Sequence, residues 1–360
     1  MNFTIVRNDS NTFRENLLES LIDGCVRKGD KMIGTTEQSN YALNLATLEN
    51  PRSVRRKSRS LFVITFISGN ISAEEEGKIK VLSYNALVKS LSNLLIYITP
   101  NLETFFTTPE AGFYQIFFNP DEIYEKIKPI ISSNFATDNK FVQDLPERFW
   151  YGSEITKQIS NYGKVLDKLG VLPVPFPLKE FLTESQMKQL YKIYGITGAS
   201  YGNLSARERI PELSNDTFWM TGRGVDKSNL QLIGKDILLV KDFDYKNHEA
   251  ILSMPPNYNP KARVSVDAVE HSMIYKAFPE IGAIIHVHAW INGVFCTRQN
   301  YPCGTIELAQ EVLDLLSRTD NPVSTAVGLK NHGLTITGKN LQEIFEKFSS
   351  KLLTEVEMFA

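Results

Sequence analysis

Five histidines occur in this chain of 360 residues: His248, His271, His286, His288 and His332. In the run Ile284-Ile-His-Val-His-Ala289, two of them stand at i and i+2. On a strand that spacing points both rings to one face, so a rigid element sets the distance between two imidazoles. An His-x-His pair alone is commonly two surface rings. Here the flanking Ile and Val residues predict a buried strand, and buried imidazoles need partners. His332 lies in Lys330-Asn-His-Gly-Leu334, where Gly permits a tight turn. Three imidazoles with one position left open suit a catalytic zinc or related divalent ion. Asp267 precedes His271 by four residues, on the same face of a predicted helix. Its carboxylate could act as a general acid/base, cap the helix or visit the metal.

The elements that must position these groups follow from periodicity and turn residues. In the C-terminal half, helices are predicted from Thr183 to Tyr194, Asp267 to Phe278 and Thr305 to Ser317, with a last one from Leu341 onward. Strands are predicted at 217–221, 236–240, 281–288, 326–329 and 334–337. In the N-terminal half, an amphipathic helix spans 11–30 and a buried strand 61–67. A helix from residue 82 gives way to a strand at 94–99, with another strand at 115–118. A helix spans 121–131, which Pro129 kinks or ends. Pro173, Pro175 and Pro177 stiffen the segment 170–178 into a connector. The expected organisation is therefore an α/β or α+β domain of unrecognised role over 1–165, a Pro-rich connector over 166–179, and a second domain over 180–360.

Composition limits the function classes. With 42% apolar and 22% charged residues, the chain reads as a soluble globular protein, and a net charge of -2 gives no pull toward nucleic acid or membrane. Arg52, Arg55, Arg56, Lys57 and Arg59 form a basic run, read as a solvated loop or helix end, with a binding patch for an anionic partner as the alternative. Three cysteines without a CxxC pair fit free thiols in a reducing compartment. The start of the chain lacks the basic segment and long apolar run of a signal peptide, and no stretch of about 18 apolar residues exists, so a cytoplasmic location is expected.

The segments Gly202-Asn-Leu-Ser-Ala-Arg207, Thr221-Gly-Arg-Gly224, Ser265-Val-Asp267 with His271, Ile285-His-Val-His-Ala289 and Lys330-Asn-His-Gly-Leu334 occur in the order seen in the class II aldolase/adducin family, which the chain resembles over about 180–360. The resemblance implies a three-layer α/β/α domain with a central, mainly antiparallel sheet. It places His286, His288 and His332 at the metal-ligand positions, for zinc or another divalent ion. Asp267 stands where the aldolases carry a catalytic glutamate, one methylene shorter. Gly202 and Asn203 match a phosphate-cradling turn, with Gly224 and Ser265 as further anion-binding positions. Arg223 replaces a small hydroxyl residue and Val266 replaces a serine, which exchanges two hydroxyl donors for one guanidinium. His271 falls to a supporting position behind Asp267.

What the resemblance implies is a metal-dependent aldolase-type lyase. Its substrate would be a small anionic hydroxy-ketone or sugar-phosphate-like compound, cleaved through a metal-stabilised enediolate with Asp267 moving the proton. Epimerisation, dehydration or decarboxylation on the same fold is the enzymatic alternative. A non-catalytic adducin-like scaffold is the other, and the three histidines weigh against it. Relatives of this kind form tetramers, so a homo-oligomer is expected.

Overall fold

The computed structural model describes residues 1–7, 13–54, 56, 61–173, 178, 182–194 and 200–360. Within the first 133 of them, short apolar and β-branched runs form one sheet. Its strands are β1 (Asn2–Arg7), β2 (Lys31–Met32), β3 (Tyr41–Leu45), β4 (Phe62–Ser68), β5 (Leu94–Ile98), β6 (Glu103–Thr107) and β7 (Phe113–Phe117), in the order β2-β1-β3-β4-β5-β6-β7. The first five run parallel, and β6 and β7 add as antiparallel hairpins. Every residue of β3 and β5 is buried, as continuous apolar strands in the middle of a parallel sheet require. The helices are α1 (Glu15–Arg27), α2 (Glu76–Ser90) and α3 (Pro120–Ile131). Asn119 caps α3, and the helix runs two residues past Pro129, so this proline lies within its last turn. Buried Asp30 accepts hydrogen bonds from the Tyr41 and Tyr124 hydroxyls, at 2.8 and 3.0 Å. Of the basic run, Arg55, Lys57 and Arg59 lie outside the described residues. Arg56 is not a solvated side chain, because its guanidinium donates to the Leu91 carbonyl and to Asn93 Oδ1.

The second sheet has eight strands: β8 (Asp138–Val142), β9 (Asn203–Arg207), β10 (Phe218–Thr221), β11 (Ile237–Asp244), β12 (Glu249–Ser253), β13 (Ala283–Val287), β14 (Ala326–Leu329) and β15 (Gly333–Gly338). Their order is β14-β15-β13-β9-β10-β11-β12-β8. All neighbours are antiparallel except β12 and β8. Among the described residues four helices flank this sheet: α4 (Glu154–Lys168), α6 (Ala268–Ala277), α7 (Ile306–Leu316) and α8 (Leu341–Phe348), with α5 (Glu184–Tyr194) lying between α4 and α6 in sequence. On β10, alternate residues separate the two faces. Phe218 and Met220 join Val269, Ile274, Leu308 and Val312 of α6 and α7 in one core, whereas Trp219 points away from them. Helices α4 and α8 pack on each other and on β9, β10, β13 and β15.

The chain divides differently from the sequence expectation. One compact unit comprises Met1–Ser133, Leu178–Tyr194 and Met358–Ala360, and the other Asn134–Pro177 and Gly195–Glu357. Residues 134–165 belong with the second sheet for two reasons. Strand β8 extends that sheet beyond β12, and α4 covers β9 and β10. Conversely, α5 groups with the first unit rather than with the second domain. Pro175 and Pro177 of the expected connector lie outside the described residues.

Candidate metal centre

One row across the second sheet organises the site. His286 on β13 sits opposite Asn203 on β9 and opposite Thr335 on β15, so the three side chains share a face. Each flanking residue of this row holds a carboxyl group from the start of α6. Asn203 Nδ2 donates to Asp267 Oδ2 at 2.6 Å, and Thr335 Oγ1 donates to Glu270 Oε1 at 2.7 Å. Asp267 occupies the residue just before the helix, but its side chain makes no capping hydrogen bond. The helix-cap reading of Asp267 is thereby replaced by a carboxylate fixed to the sheet beside His286.

The Gly-Asn-Leu-Ser-Ala-Arg segment proves to be a strand with a docking edge. Asn203, Ser205 and Arg207 alternate on β9, and all three reach α6. Ser205 Oγ lies 2.8 Å from His271 Nδ1 and 2.8 Å from the Tyr275 hydroxyl. Arg207 donates to the Tyr275 and Ile281 carbonyls and stacks its guanidinium over the Tyr275 ring. The His271 ring therefore bonds Ser205 and not the Asp267 carboxylate. Burial pushes its pKa down to about 3, with a further depression from His286, so it stays neutral.

The three predicted ligands converge. Ring centroids lie 5.2 Å apart for His286 and His288, 4.6 Å for His286 and His332, and 4.8 Å for His288 and His332. The Nε2 atoms of His288 and His332 are 3.2 Å apart. Two nitrogens bound at about 2.0–2.1 Å to one tetrahedral ion lie about 3.4 Å apart, so this pair is spaced for a shared ion. The tautomer of His286 is fixed by its surroundings. Its Nδ1 lies 3.0 Å from the Leu334 carbonyl, which can only accept, so the proton is on Nδ1. Nε2 therefore carries a lone pair, and it is buried without a partner among the described residues. Burial lowers the pKa of all three rings, reinforced in His288 and His332 by the neighbouring histidines. Three neutral imidazoles, one with an unspent buried lone pair, fit a divalent metal.

Two backbone features hold this convergence. Gly202 has φ +73°, and a Cβ there would lie 2.5 Å from the His286 carbonyl oxygen. Asn331 takes the left-handed conformation, φ 57°, and a Cβ on Gly333 would collide with the Val287 carbonyl. These constraints account for Asn and Gly on either side of His332.

The anion-loop residues are placed unequally. An isolated bridge joins Gly222 to Val264, and Ser265 N donates to the Thr221 carbonyl, which sets Gly224 and Ser265 on adjacent segments. Arg223, however, turns its guanidinium to the Thr137 carbonyl at 2.9 Å. Sequence reading missed three groups. Lys227 is 3% exposed, and its ammonium donates to the Ser200 carbonyl at 2.9 Å. Burial brings its pKa down to about 8, against the opposing pull of Asp226 and Asp267. Asp226 turns the chain there by accepting from Ser228 N, an Asp-x-Ser signal legible in the sequence. Glu270 is 3% exposed, and burial, then Asp267, raise its pKa to about 8. The third is Cys303, whose Sγ is 3.3 Å from His332 Nε2.

Comparison with known proteins bears on the same residues. The family model for the Class II Aldolase and Adducin N-terminal domain matches residues 185–300. Residues 185–300 carry a class II aldolase/adducin domain. Two curated relatives, methylthioribulose-1-phosphate dehydratases of Leptospira interrogans serovars copenhageni (strain Fiocruz L1-130) and Lai (strain 56601), are each 33% identical over 135 residues, covering 36% of this chain. The chain spans about half the length of these relatives, 49%. Among solved structures, L-fuculose 1-phosphate aldolase superimposes with a TM-score of 0.36 at 19% identity, covering 56% of this chain and 82% of the other. YgbL from Escherichia coli does so with a TM-score of 0.34 at 18% identity, covering 55% and 86%. His332, Cys303 and the C-terminal strands β14 and β15 lie beyond the matched family segment.

Proposed function

We propose that the class II aldolase/adducin domain is a divalent-metal-dependent lyase acting on an anionic hydroxy-ketone or sugar-phosphate-like substrate, with zinc the first ion to test. One observation carries this reading: His286 Nε2 is buried with its lone pair unmatched, its ligand atom lies within 4.8 Å of that of His332, and His332 Nε2 is 3.2 Å from His288 Nε2. His286, His288 and His332 would hold the ion. When bound, it supplies Lewis acidity to a substrate carbonyl and its neighbouring hydroxyl.

The chain's own residues do the rest. Asp267, fixed by Asn203, moves a proton to or from the substrate carbon or oxygen. The positive-φ glycines Gly202 and Gly224 let backbone N–H groups approach an anion. Lys227, buried against Ser200, adds a positive charge on that side. Ser205 holds His271 beneath the row, which keeps α6 and hence Asp267 in place. A carbon–carbon cleavage uses this arrangement to stabilise charge on the ketone fragment. Dehydration uses the same start but expels a hydroxyl, and the dehydratase names of the two curated relatives favour it as the second reading. The same reading has the protein assemble as a homo-oligomer in the cytoplasm.

The test is the 360-residue chain loaded with zinc, cobalt or manganese and offered a panel of hydroxy-ketones and their phosphates. Mass spectrometry separates two shorter fragments, for cleavage, from a product that has lost water. His286→Ala and Asp267→Asn should abolish either. No metal-dependent turnover across the panel would refute the lyase assignment.

A further inference from the structure

Resting on the three-histidine reading, we infer that Cys303 is a fourth metal ligand, so that this centre closes as three imidazoles and one thiolate. The ligand atoms of Cys303, His286 and His332 all lie within 4.8 Å of one another. Cys303 Sγ stands 3.3 Å from His332 Nε2, the same nitrogen that is 3.2 Å from His288 Nε2. A sulfur bound at about 2.3 Å and a nitrogen at about 2.0–2.1 Å to one tetrahedral ion lie about 3.6 Å apart. The sulfur is therefore already at ligand distance from the imidazole cluster, whose buried His286 Nε2 has no other partner among the described residues.

The loop that carries Cys303 is pinned on both sides. Thr305 Oγ1 donates to the Pro302 carbonyl at 2.8 Å while accepting from Leu308 N as the cap of α7. On the other side, Ala136 N donates to the Gly304 carbonyl at 2.8 Å, and Phe135 bridges to Thr305. This loop is a fixed presentation of the thiol. Asp267, one methylene shorter than the glutamate expected at its position, is tied to Asn203 at 2.6 Å. The thiol and not this carboxylate then supplies the anionic ligand. Four protein ligands make a closed tetrahedral set, whereas an open position defines a catalytic one. An anionic substrate reaches such an ion only as the thiolate leaves, which makes Cys303 a gate on substrate entry.

Cobalt(II) loading of the full chain tests this without measuring turnover. The wild type should show a near-ultraviolet thiolate-to-cobalt charge-transfer band. Cys303→Ser should lose it, and Cys296→Ser should keep it. Cobalt affinity of Cys303→Ser should fall at least about tenfold, with the metal-free melting temperature unchanged as the check on folding. Bound cobalt should also protect Cys303, and not Cys296, from alkylation. Tight cobalt binding without the band, or equal affinity in Cys303→Ser, overturns the thiolate ligand and leaves the histidine site standing. No cobalt uptake by the wild type overturns both.

Discussion

Replacing Glu270 by glutamine removes an ionisable proton while keeping a carbonyl oxygen for the Thr335 hydroxyl. In the folded chain burial and the Asp267 charge raise the Glu270 pKa from 4.5 to about 8. Below 4.5 both folded and unfolded states hold the proton, and above 8 neither does. Between these limits the unfolded chain has released it and the folded chain has not, so wild-type stability falls as pH rises. A rise of about 3.5 pH units at about 1.4 kcal/mol each sets an upper bound of about 5 kcal/mol. Half of that bound, about 2–3 kcal/mol, is a large share of a domain's net stability. All three tryptophans, Trp150, Trp219 and Trp290, lie in the second unit, so tryptophan fluorescence reports on the unit that contains Glu270. Urea unfolding of metal-free wild type and Glu270→Gln at half-unit steps from pH 5 to pH 8.5 isolates the effect, because other titrating groups cancel in the difference. The variant should gain on the wild type steadily from pH 5 to about 8 and run parallel above it. Two curves that stay parallel throughout would refute a protonated Glu270 in this core.

Three further substitutions probe the same centre. His286→Ala should remove stoichiometric metal from the purified protein, read by atomic emission, because it deletes the one ring whose tautomer is fixed for binding. Gly202→Ala should cost about 2 kcal/mol in urea unfolding from the left-handed backbone alone, and its methyl at the His286 carbonyl should weaken metal uptake as well. Lys227→Met tests the opposite sign. The folded ammonium has its pKa lowered from 10.5 to about 8, so wild-type stability should climb relative to the variant between pH 8 and 10.5 and be flat below 8. Unfolding measured at pH 7.5, 9 and 10 decides it.

The part of the site legible in the sequence was the part carried by a strand. His-x-His on an apolar run dictates two rings on one face, and β13 delivers that. The strand at 326–329 and the helix ending near Ser317 were legible for the same reason, a clean period bounded by turn or cap residues. What a period cannot show is a pairing partner. Gly202-Asn203 reads as a turn, and Asn203 in fact begins β9, where register puts it beside His286. Glu270 looks like an ordinary charged helix residue until α6 presses it onto Thr335. Lys227 follows a turn signal and so suggests a solvated loop, but burial against Ser200 reverses that. The division of the chain was misread because an edge strand, β8, belongs to a sheet whose other strands begin more than 60 residues later, and the helix α4 packs on that same sheet. Local patterning carries no information on that distance.

The charges around the row bear on the proposal of an anionic substrate. The three imidazoles are neutral, and Glu270 holds its proton through most of the neutral range. Lys227 feels the opposing pull of the Asp267 carboxylate. Before any metal enters, this buried set sums to nearly zero, the condition under which burial of so many polar groups is tolerable. A divalent ion then adds two positive charges that nothing in the row offsets. A Cys303 thiolate would offset one of them in the resting site, and an anionic ligand near Lys227 and the Gly202 and Gly224 turns would take over that role as the thiolate leaves. A neutral sugar in place of the thiolate would leave the ion's charge without that offset. The buried charge count thus supports the proposed anionic substrate, even with the Arg223 guanidinium engaged at the Thr137 carbonyl.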